Sequence, residues 1–349
     1  MRARMVCVLL ASTVLLAGCG ADTPEENEGA DPPAAGFPVT VTDCDGRETE
    51  VSEPPERIVT ANGSVLELLL RLGAGDRVLG TGYPPGRGTL PGELDARAQQ
   101  VPVLGETVID SETLLGSGAD LYISTFVEMH DDTGTFPSDE EMAAAGIDQM
   151  VLASSACAPG RDEPQTDLSA VQRDIELLGR LTGTSERAAE LVAEMDATLA
   201  EVGRTVAGVG EEDRPSYFFF DYDAGTEQPM AVCNRQVGNA VITLAGARNI
   251  FADCEADFRP VGWEDVVAAD PDWIQLAVRD RGSAEATEAA YDEAEAFLRD
   301  FAATAGLSAV REGRFLRVPS EMTTVSGVTN ADAVARIART LHPEAAATP

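Results

Sequence analysis

Strand and helix patterns alternate on both sides of a long helical connector, and this predicts an α/β protein of two Rossmann-like lobes. Each lobe would hold a parallel sheet, and a single long α-helix would join them. Three observations carry the prediction: the connector, the alternation, and a pair of segments that echo each other across it. In the connector, Leu168, Val171, Ile175 and Leu178 fall three or four apart. After Thr182-Gly183-Thr184 the spacing returns in Ala188, Leu191, Met195, Leu199 and Val202. Gly183 suits the left-handed residue that ends one helix, and Thr184 or Ser185 can cap the next. From Thr184 to Ala207 a helix would run roughly 36 Å, about the width of a domain. The same periodicity also fits a crossover helix inside one large domain.

Before the connector, Pro38 to Val51 alternates around Asp45-Gly46 as a hairpin does, and Pro54-Pro55 ends it. Arg57-Ile58-Val59-Thr60 then reads as a short buried strand. Asn62-Gly63-Ser64 turns into a helix from Val65 to Leu72 that stops at Gly73. A strand at Val78-Leu79-Gly80 follows, then a helix from Ser111 to about Gly118 and a strand at Leu121–Ser124. A helix from Asp139 to Ala145 and a strand from Asp148 to Leu152 complete the segment. After the connector come a strand at Ser216–Phe220 and helices at Val237–Leu244 and Trp263–Ala269. A strand at Trp273–Val278, a helix at Ala284–Phe301, a strand at Arg314–Val318 and a helix at Asn330–Leu341 close the series. Such sheets bind ligands beyond the carboxyl ends of their strands.

The echo pairs Ser111-Glu112-Thr113-Leu114-Leu115 with Trp263-Glu264-Asp265-Val266-Val267. Each glutamate stands eight residues before an aspartate, Asp120 or Asp272, that leads into a strand. Glutamate is common in a first helical turn, which explains either residue singly better than it explains the matched spacing. Leu72-Gly73-Ala74 and Ala245-Gly246-Ala247 form a weaker second pair.

The beginning of the chain reads as a targeting signal. Met1-Arg2-Ala3-Arg4 is basic, Val6 to Leu16 is apolar but too short to span a bilayer, and Leu16-Ala17-Gly18-Cys19 resembles a bacterial lipoprotein signal. Residues 1–18 would leave, Cys19 would carry lipid, and residues 19–37 have the acidic, Gly- and Pro-containing composition of a flexible tether. A plain secretory signal is the alternative. The expected divisions are then an N-terminal lobe over residues 38–165, a helical backbone over 166–209 and a C-terminal lobe over 210–349.

The formal charge is −35, and removal of Arg2 and Arg4 with the signal leaves 23 basic against 60 acidic side chains, or −37. That balance and the lack of a basic stripe exclude nucleic acid as a partner. Every cationic chain is an arginine, so an anion site must use guanidinium or backbone groups. Beyond Cys7 and Cys19 four cysteines remain, and outside the cytoplasm an even number implies two disulfides. Of three pairings, Cys44–Cys157 with Cys233–Cys254 keeps each bond on its own side of the connector. A metal site is disfavoured, because only His130 and His342 could assist the cysteines. There is no G-x-S-x-G, no H-E-x-x-H and little material for a triad, so a lipid-anchored extracellular enzyme is the weaker reading.

Six motifs in order resemble the helical-backbone class of ABC-importer substrate-binding proteins that serve iron–siderophore, haem and cobalamin uptake. They are Pro54 to Val59, Glu112 to Ile123, Leu178 to Gly183, Gly246 to Phe251, Trp263 to Gln275 and Leu341-His342-Pro343-Glu344. The resemblance covers essentially the whole chain after the signal. It implies two lobes around a cleft, a monomeric binder without a resident cofactor, and an ABC permease dimer with its cytoplasmic ATPase as partner. It also implies that Glu112 and Glu264 are the docking anchors, one on each lobe. In the cleft, residues that follow strands are expected to meet the ligand: Asn62, Tyr83, Phe126 and Met129 from one lobe, and Tyr222, Arg235, Arg279 and Met322 from the other. Aromatic, thioether and guanidinium groups suit a bulky chelate with apolar faces and a few anionic oxygens. An iron–siderophore complex is expected first. Cobalamin, haem or an anionic cofactor precursor are the alternatives, with His130, Tyr83 and Tyr222 available to a haem. Asp221 and Asp223 beside Tyr222 either receive a cation or cap the strand end. The extreme acidity stands against an anionic ligand.

Overall fold

A computed structural model describes residues 36–126 and 136–343. Its first lobe opens with an antiparallel hairpin, β1 (Val39–Thr42) and β2 (Glu48–Val51). The Asp43 carboxylate accepts the amides of Asp45 and Arg47, and Gly46 takes the left-handed conformation the turn needs. Then β3 (Ile58–Thr60) leads into α1 (Gly63–Leu72), whose first turn is capped by the Asn62 side chain and whose end is set by Gly73 at φ 82°. The lobe continues through β4 (Val78–Gly82), α2 (Gly92–Ala98), β5 (Val103–Gly105), α3 (Ser111–Leu115), β6 (Leu121–Ser124), α4 (Asp139–Ala144) and β7 (Asp148–Val151). Five strands form one parallel sheet in the order β5-β4-β3-β6-β7, so the chain reverses direction between β3 and β6.

After the short α5 (Ala153–Ala156), the connector is a helical hairpin. Helix α6 (Ser169–Leu181) stops at Gly183, φ 67°, and α7 (Ser185–Val206) folds back along it. Gln172 of α6 reaches Asp196 of α7 at 2.6 Å, which fixes the antiparallel alignment. Only α7 crosses between the lobes. Near its start Arg187 donates to the carbonyl of Arg71 at the end of α1, and at its end Val206 meets Gly246 of the second lobe. The break at Gly183 was legible, whereas the fold-back of α6 was not.

The second lobe runs β8 (Ser216–Asp221), β9 (Met230–Val232), α8 (Val237–Leu244), β10 (Arg248–Asn249), β11 (Phe258–Pro260), α9 (Trp263–Ala269) and β12 (Trp273–Ala277). It ends with α10 (Ala284–Asp300), α11 (Ser308–Glu312), β13 (Phe315–Arg317), α12 (Ser320–Thr324) and α13 (Thr329–Leu341). Its parallel sheet has the order β10-β8-β12-β13, and β9 with β11 forms a separate antiparallel ribbon. Cys44 is bonded to Cys157 and Cys233 to Cys254, with Cα atoms 5.1 and 4.9 Å apart.

The sequence echo has a structural basis. The Asp120 carboxylate, at the start of β6, accepts the amides of Glu56 and Arg57 ahead of β3. Asp272, at the start of β12, accepts the amide and hydroxyl of Ser216 at the start of β8. In each lobe an aspartate thus ties the central strand to its neighbour, and Glu112 or Glu264 occupies the second position of the preceding helix. The helix ends agree as well. Ala74 donates to Leu69 and Ala247 to Ile242, the same six-residue closure after Gly73 and Gly246.

Burial is not divided equally between the lobes. One continuous core runs from the hairpin through Ile58, α1, α6 and α7 to Tyr217, α8 and α13. The outer faces hold smaller clusters: Val59, Leu114, Tyr122 and Met142 in the first lobe, and Phe218, Phe220, Trp263 and Leu298 in the second. Both lobes are therefore packed against the same helices, which restricts how far they can part.

Candidate ligand cleft

The segments that follow the carboxyl ends of β4 and β12 meet, and the strand order of each sheet reverses at its centre, between β3 and β6 and between β8 and β12. On the first lobe, Tyr83, Asn62 and Phe126 follow three adjacent strands, β4, β3 and β6. With strands about 4.8 Å apart, the outer two stand roughly 10 Å from each other. Asn62 spends its amide on the fold: Oδ1 accepts from Ser64 and Val65, and Nδ2 donates to Thr125 Oγ1 at 2.7 Å. The aromatic residues are free. Tyr83 is 45% and Phe126 47% exposed, and they are the two aromatic side chains among the exposed large hydrophobic ones of the described residues.

Tyr83 is also strained. Its φ of 35° is uncommon for a residue with a Cβ, and two hydrogen bonds impose it: Gly63 donates to its carbonyl and its own amide donates to Thr107. Gly63 has to lack a side chain, since a Cβ there would lie 2.9 Å from the nitrogen of Pro85.

The facing wall is acidic and arginine-laced. Asp221 caps a single turn by accepting from Asp223 and Ala224, so its role here is capping. Burial raises its pKa, against the nearby Arg279 and its capping amides. Asp223 accepts the Arg279 amide at 2.6 Å and pairs with Arg281. Tyr222 is half-buried, its ring 6.1 Å from Phe220 and 6.4 Å from Phe297, so much of it belongs to the lobe's aromatic core. Glu321, whose pKa burial also raises, accepts the Asp280 amide.

Two remaining expected ligand residues lie elsewhere. Arg235 donates to the Pro159 carbonyl at the junction of lobe and connector. Met322, in α12, lines a cavity of about 470 Å³ between α7 and α13, together with Thr198, Glu201, Val202, Arg336 and Arg339. That cavity lies along the connecting helix and not at the strand ends. Met129 and His130, like Cys19, fall outside the described residues. Glu112 and Glu264 are both exposed.

Sequence reasoning missed the contact across the cleft mouth. The amide of Gly86 donates to the Asp280 carboxylate, Arg87 donates to Gly282, and Arg87 forms a parallel bridge with Ser283. A Cβ on Gly86 would overlap Asp280 Oδ1. The sole signal was Pro84-Pro85-Gly86 directly after a strand. Deeper in, Ser326 of the second lobe donates to Ser155, whose hydroxyl donates to the Thr125 carbonyl beside Phe126. No group of three or more His, Cys, Asp or Glu side chains among the described residues is arranged to hold a metal ion.

A sequence profile described as periplasmic binding protein matches residues 58–322. The chain belongs to the periplasmic binding protein family. The binding protein is 23% identical to an uncharacterized ABC transporter substrate-binding lipoprotein, YvrC, of Bacillus subtilis, over 98% of both chains. It is 27% identical to a cobalamin-binding protein of Halobacterium salinarum over 79% of this chain and 69% of that one. A crystal structure described as an ABC-type Fe3+-hydroxamate transport system, from Saccharomonospora viridis, superimposes with a TM-score of 0.71 at 25% identity. It covers 87% of this chain and 99% of the other. The binding protein is thus a non-catalytic transport component with the helical-backbone fold of siderophore, haem and cobalamin carriers, extracytoplasmic and associated with a membrane.

Proposed function

We propose that the binding protein is held at the membrane through a lipid on Cys19, captures a corrinoid, cobalamin first, and delivers it to an ABC permease dimer. Glu112 and Glu264 would be the two docking points. The observation that carries the ligand reading is the pair of exposed aromatic faces, Tyr83 and Phe126, on either side of Asn62. They suit the flat apolar surface of a macrocycle. The facing wall presents Asp221, Asp223, Asp280 and Glu321 against Arg279 and Arg281, which suits a ligand without strong negative charge. The cobalamin-binding relative supports the same class. A ferric hydroxamate complex is the second reading, favoured by the likeness to the Saccharomonospora structure, and it replaces the iron–siderophore expectation as the competitor and not the first choice.

Tryptophan fluorescence tests it. Trp263 is buried beside Phe220, and Trp273 opens β12, so both lie in the lobe that forms one wall of the cleft. Titration with cyanocobalamin, a ferric hydroxamate and haem should give saturable quenching at submicromolar concentration with cyanocobalamin, and weaker binding of the other two. Binding of the hydroxamate alone would reverse the order of the readings. Failure of all three would remove the chelate reading.

A further inference from the structure

A relay of three serine hydroxyls and one carboxylate ties both lobes to the connector. Asp174 of α6 is buried, and its Oδ1 and Oδ2 accept the amides of Ala153 and Ser154 at the start of α5. The Ser154 hydroxyl meets Asp174 Oδ2 on one side and Ser326 Oγ on the other. Ser326, between α12 and α13 of the second lobe, also meets Ser155 Oγ at 2.9 Å. Ser155 in turn donates to the Thr125 carbonyl at 2.9 Å, and Thr125 stands between β6 and the exposed Phe126. All three serines are buried.

The relay is one proton short unless Asp174 supplies it. Its four contacts, Asp174 with Ser154, Ser154 with Ser326, Ser326 with Ser155 and Ser155 with Thr125, each need a hydrogen between two oxygens. The three hydroxyls supply three hydrogens and the carbonyl supplies none. Among the described residues no other donor reaches these hydroxyl oxygens. With Asp174 ionised, one pair of buried oxygens therefore meets without a proton, which is costly. A carboxylate holds its donor most strongly, so the shortfall falls on Ser326 or on the Thr125 carbonyl. A proton on Asp174 completes the series: Asp174 donates to Ser154, Ser154 to Ser326, Ser326 to Ser155 and Ser155 to Thr125. The charged surroundings do not prevent this. Arg161, in the turn after α5, favours the carboxylate, but it donates to the Ala153 carbonyl and is shared with Asp167. Arg173, Glu176 and Arg180 of α6 are exposed. Helix α7 pairs Arg187 with Glu190 and Glu194 and gives Asp196 to Gln172, α1 pairs Glu67 with Arg71, and α5 and β1 have no ionisable side chain. From the second lobe, Arg235 donates to Pro159 and Glu321 accepts the Asp280 amide. Burial prevails and pushes the Asp174 carboxyl up to about 6.

We propose that this relay is a proton-operated clasp: the second lobe seats fully against the first at Ser326 only while Asp174 carries a proton. Ionisation loosens either the hold on Ser326 or the Thr125 carbonyl, and the latter is the backbone neighbour of an exposed aromatic side chain. Seating of the lobes therefore takes up a proton, and the two are held together more firmly in an acid medium. The clasp concerns how the lobes meet and stands whichever ligand the cleft takes.

Carboxyl 13C NMR titration of the ligand-free protein tests the proposal, with D174N to assign the Asp174 signal. S326A removes two contacts and one hydrogen, after which the ionised relay is complete. It should therefore lower the Asp174 midpoint by about one pH unit, a tenfold loss of proton affinity. S155A also removes two contacts and one hydrogen and should act alike, so the test survives if one variant folds poorly. Burial alone predicts no such shift, because neither change adds a charge beside the carboxyl. Amide exchange at the buried Gly327, next to Ser326, reads the seating directly. The ratio of wild-type to D174N exchange rates should rise about tenfold as pH passes through the Asp174 midpoint. A midpoint unmoved in both serine variants, or a rate ratio that stays level with pH, would overturn the clasp.

Discussion

Replacing Gly86 with alanine should unlatch the cleft mouth without unfolding either lobe. The added Cβ would overlap Asp280 Oδ1 and lie 2.6 Å from Asp280 Cγ, so one side must withdraw. Asp280 has little freedom to do so, because its Oδ1 accepts the Gly282 amide at 2.8 Å and its own amide is bonded to Glu321. The bond lost is that of the Gly86 amide to a carboxylate, worth about 1.5–3 kcal/mol. If that energy holds the mouth shut, its loss enlarges the unlatched population roughly 10- to 100-fold. Stopped-flow quenching should then show faster ligand association, with dissociation accelerated as well. A double-mutant cycle with Asp280→Ala isolates the contact: once Asp280 is gone, Gly86→Ala should add little, and the coupling should fall in the range given above. Strictly additive effects, or unchanged rates in both variants, would refute the latch.

Alanine at both Glu112 and Glu264 should abolish permease-dependent uptake and leave ligand affinity unchanged. A matching loss of affinity would remove the docking role. Tyr83→Gly relieves the left-handed strain at φ 35°, so stability should stay within about 1 kcal/mol of wild type while ligand affinity falls, as titration and urea unfolding together would register. Removing the Cys44–Cys157 bond, which closes 113 residues, should cost about 5 kcal/mol, against about 3 kcal/mol for Cys233–Cys254, which closes 21. Comparable losses in guanidinium would contradict the chain-entropy account. Burial pushes Asp174 up to about 6, against the Ser154 and Ala153 hydrogen bonds and Arg161. Its folded pKa thus exceeds its ordinary value of 3.8, so its contribution is fully present below 3.8 and is lost as pH rises through about 6. Stability should therefore rise between pH 7 and pH 5, by about 1.4 kcal/mol from this group. Glu67, Asp221 and Glu321, also raised by burial, act in the same direction. A flatter slope in D174N isolates the share of Asp174, and an identical slope would deny it.

Much of this architecture was legible because long amphipathic runs and capped helix ends are local. Asn62, Gly73 and Gly183 do in space what their chemistry suggests in sequence. The echo of Glu112 and Glu264 was readable as spacing, and its cause, the paired ties of Asp120 and Asp272, needed coordinates. Strands β5, β9, β10 and β11, of two or three residues, are too short to show a period, so the ribbon carrying Cys233 went unseen. At the cleft, the strand-end rule singled out Tyr83 and Phe126, and the structure leaves both exposed after β4 and β6. It could not tell that Arg235 is spent on a carbonyl or that Met322 turns toward α7 and α13, because those depend on contacts with distant parts of the chain.

The latch and the exposed Tyr83 ring are neighbours in the chain. Tyr83 is followed at once by Pro84 and Pro85, and two prolines transmit displacement instead of absorbing it. Whatever pulls Gly86 away from Asp280 must therefore pivot the backbone that holds the Tyr83 ring, with Pro85 bearing on Gly63 as a fulcrum. Since the shared core holds the lobes to the same helices, this short lever is the cheapest moving part available. Under the proposed function, admission of a ligand and its first contact at Tyr83 would then be one mechanical event, achieved without swinging a domain.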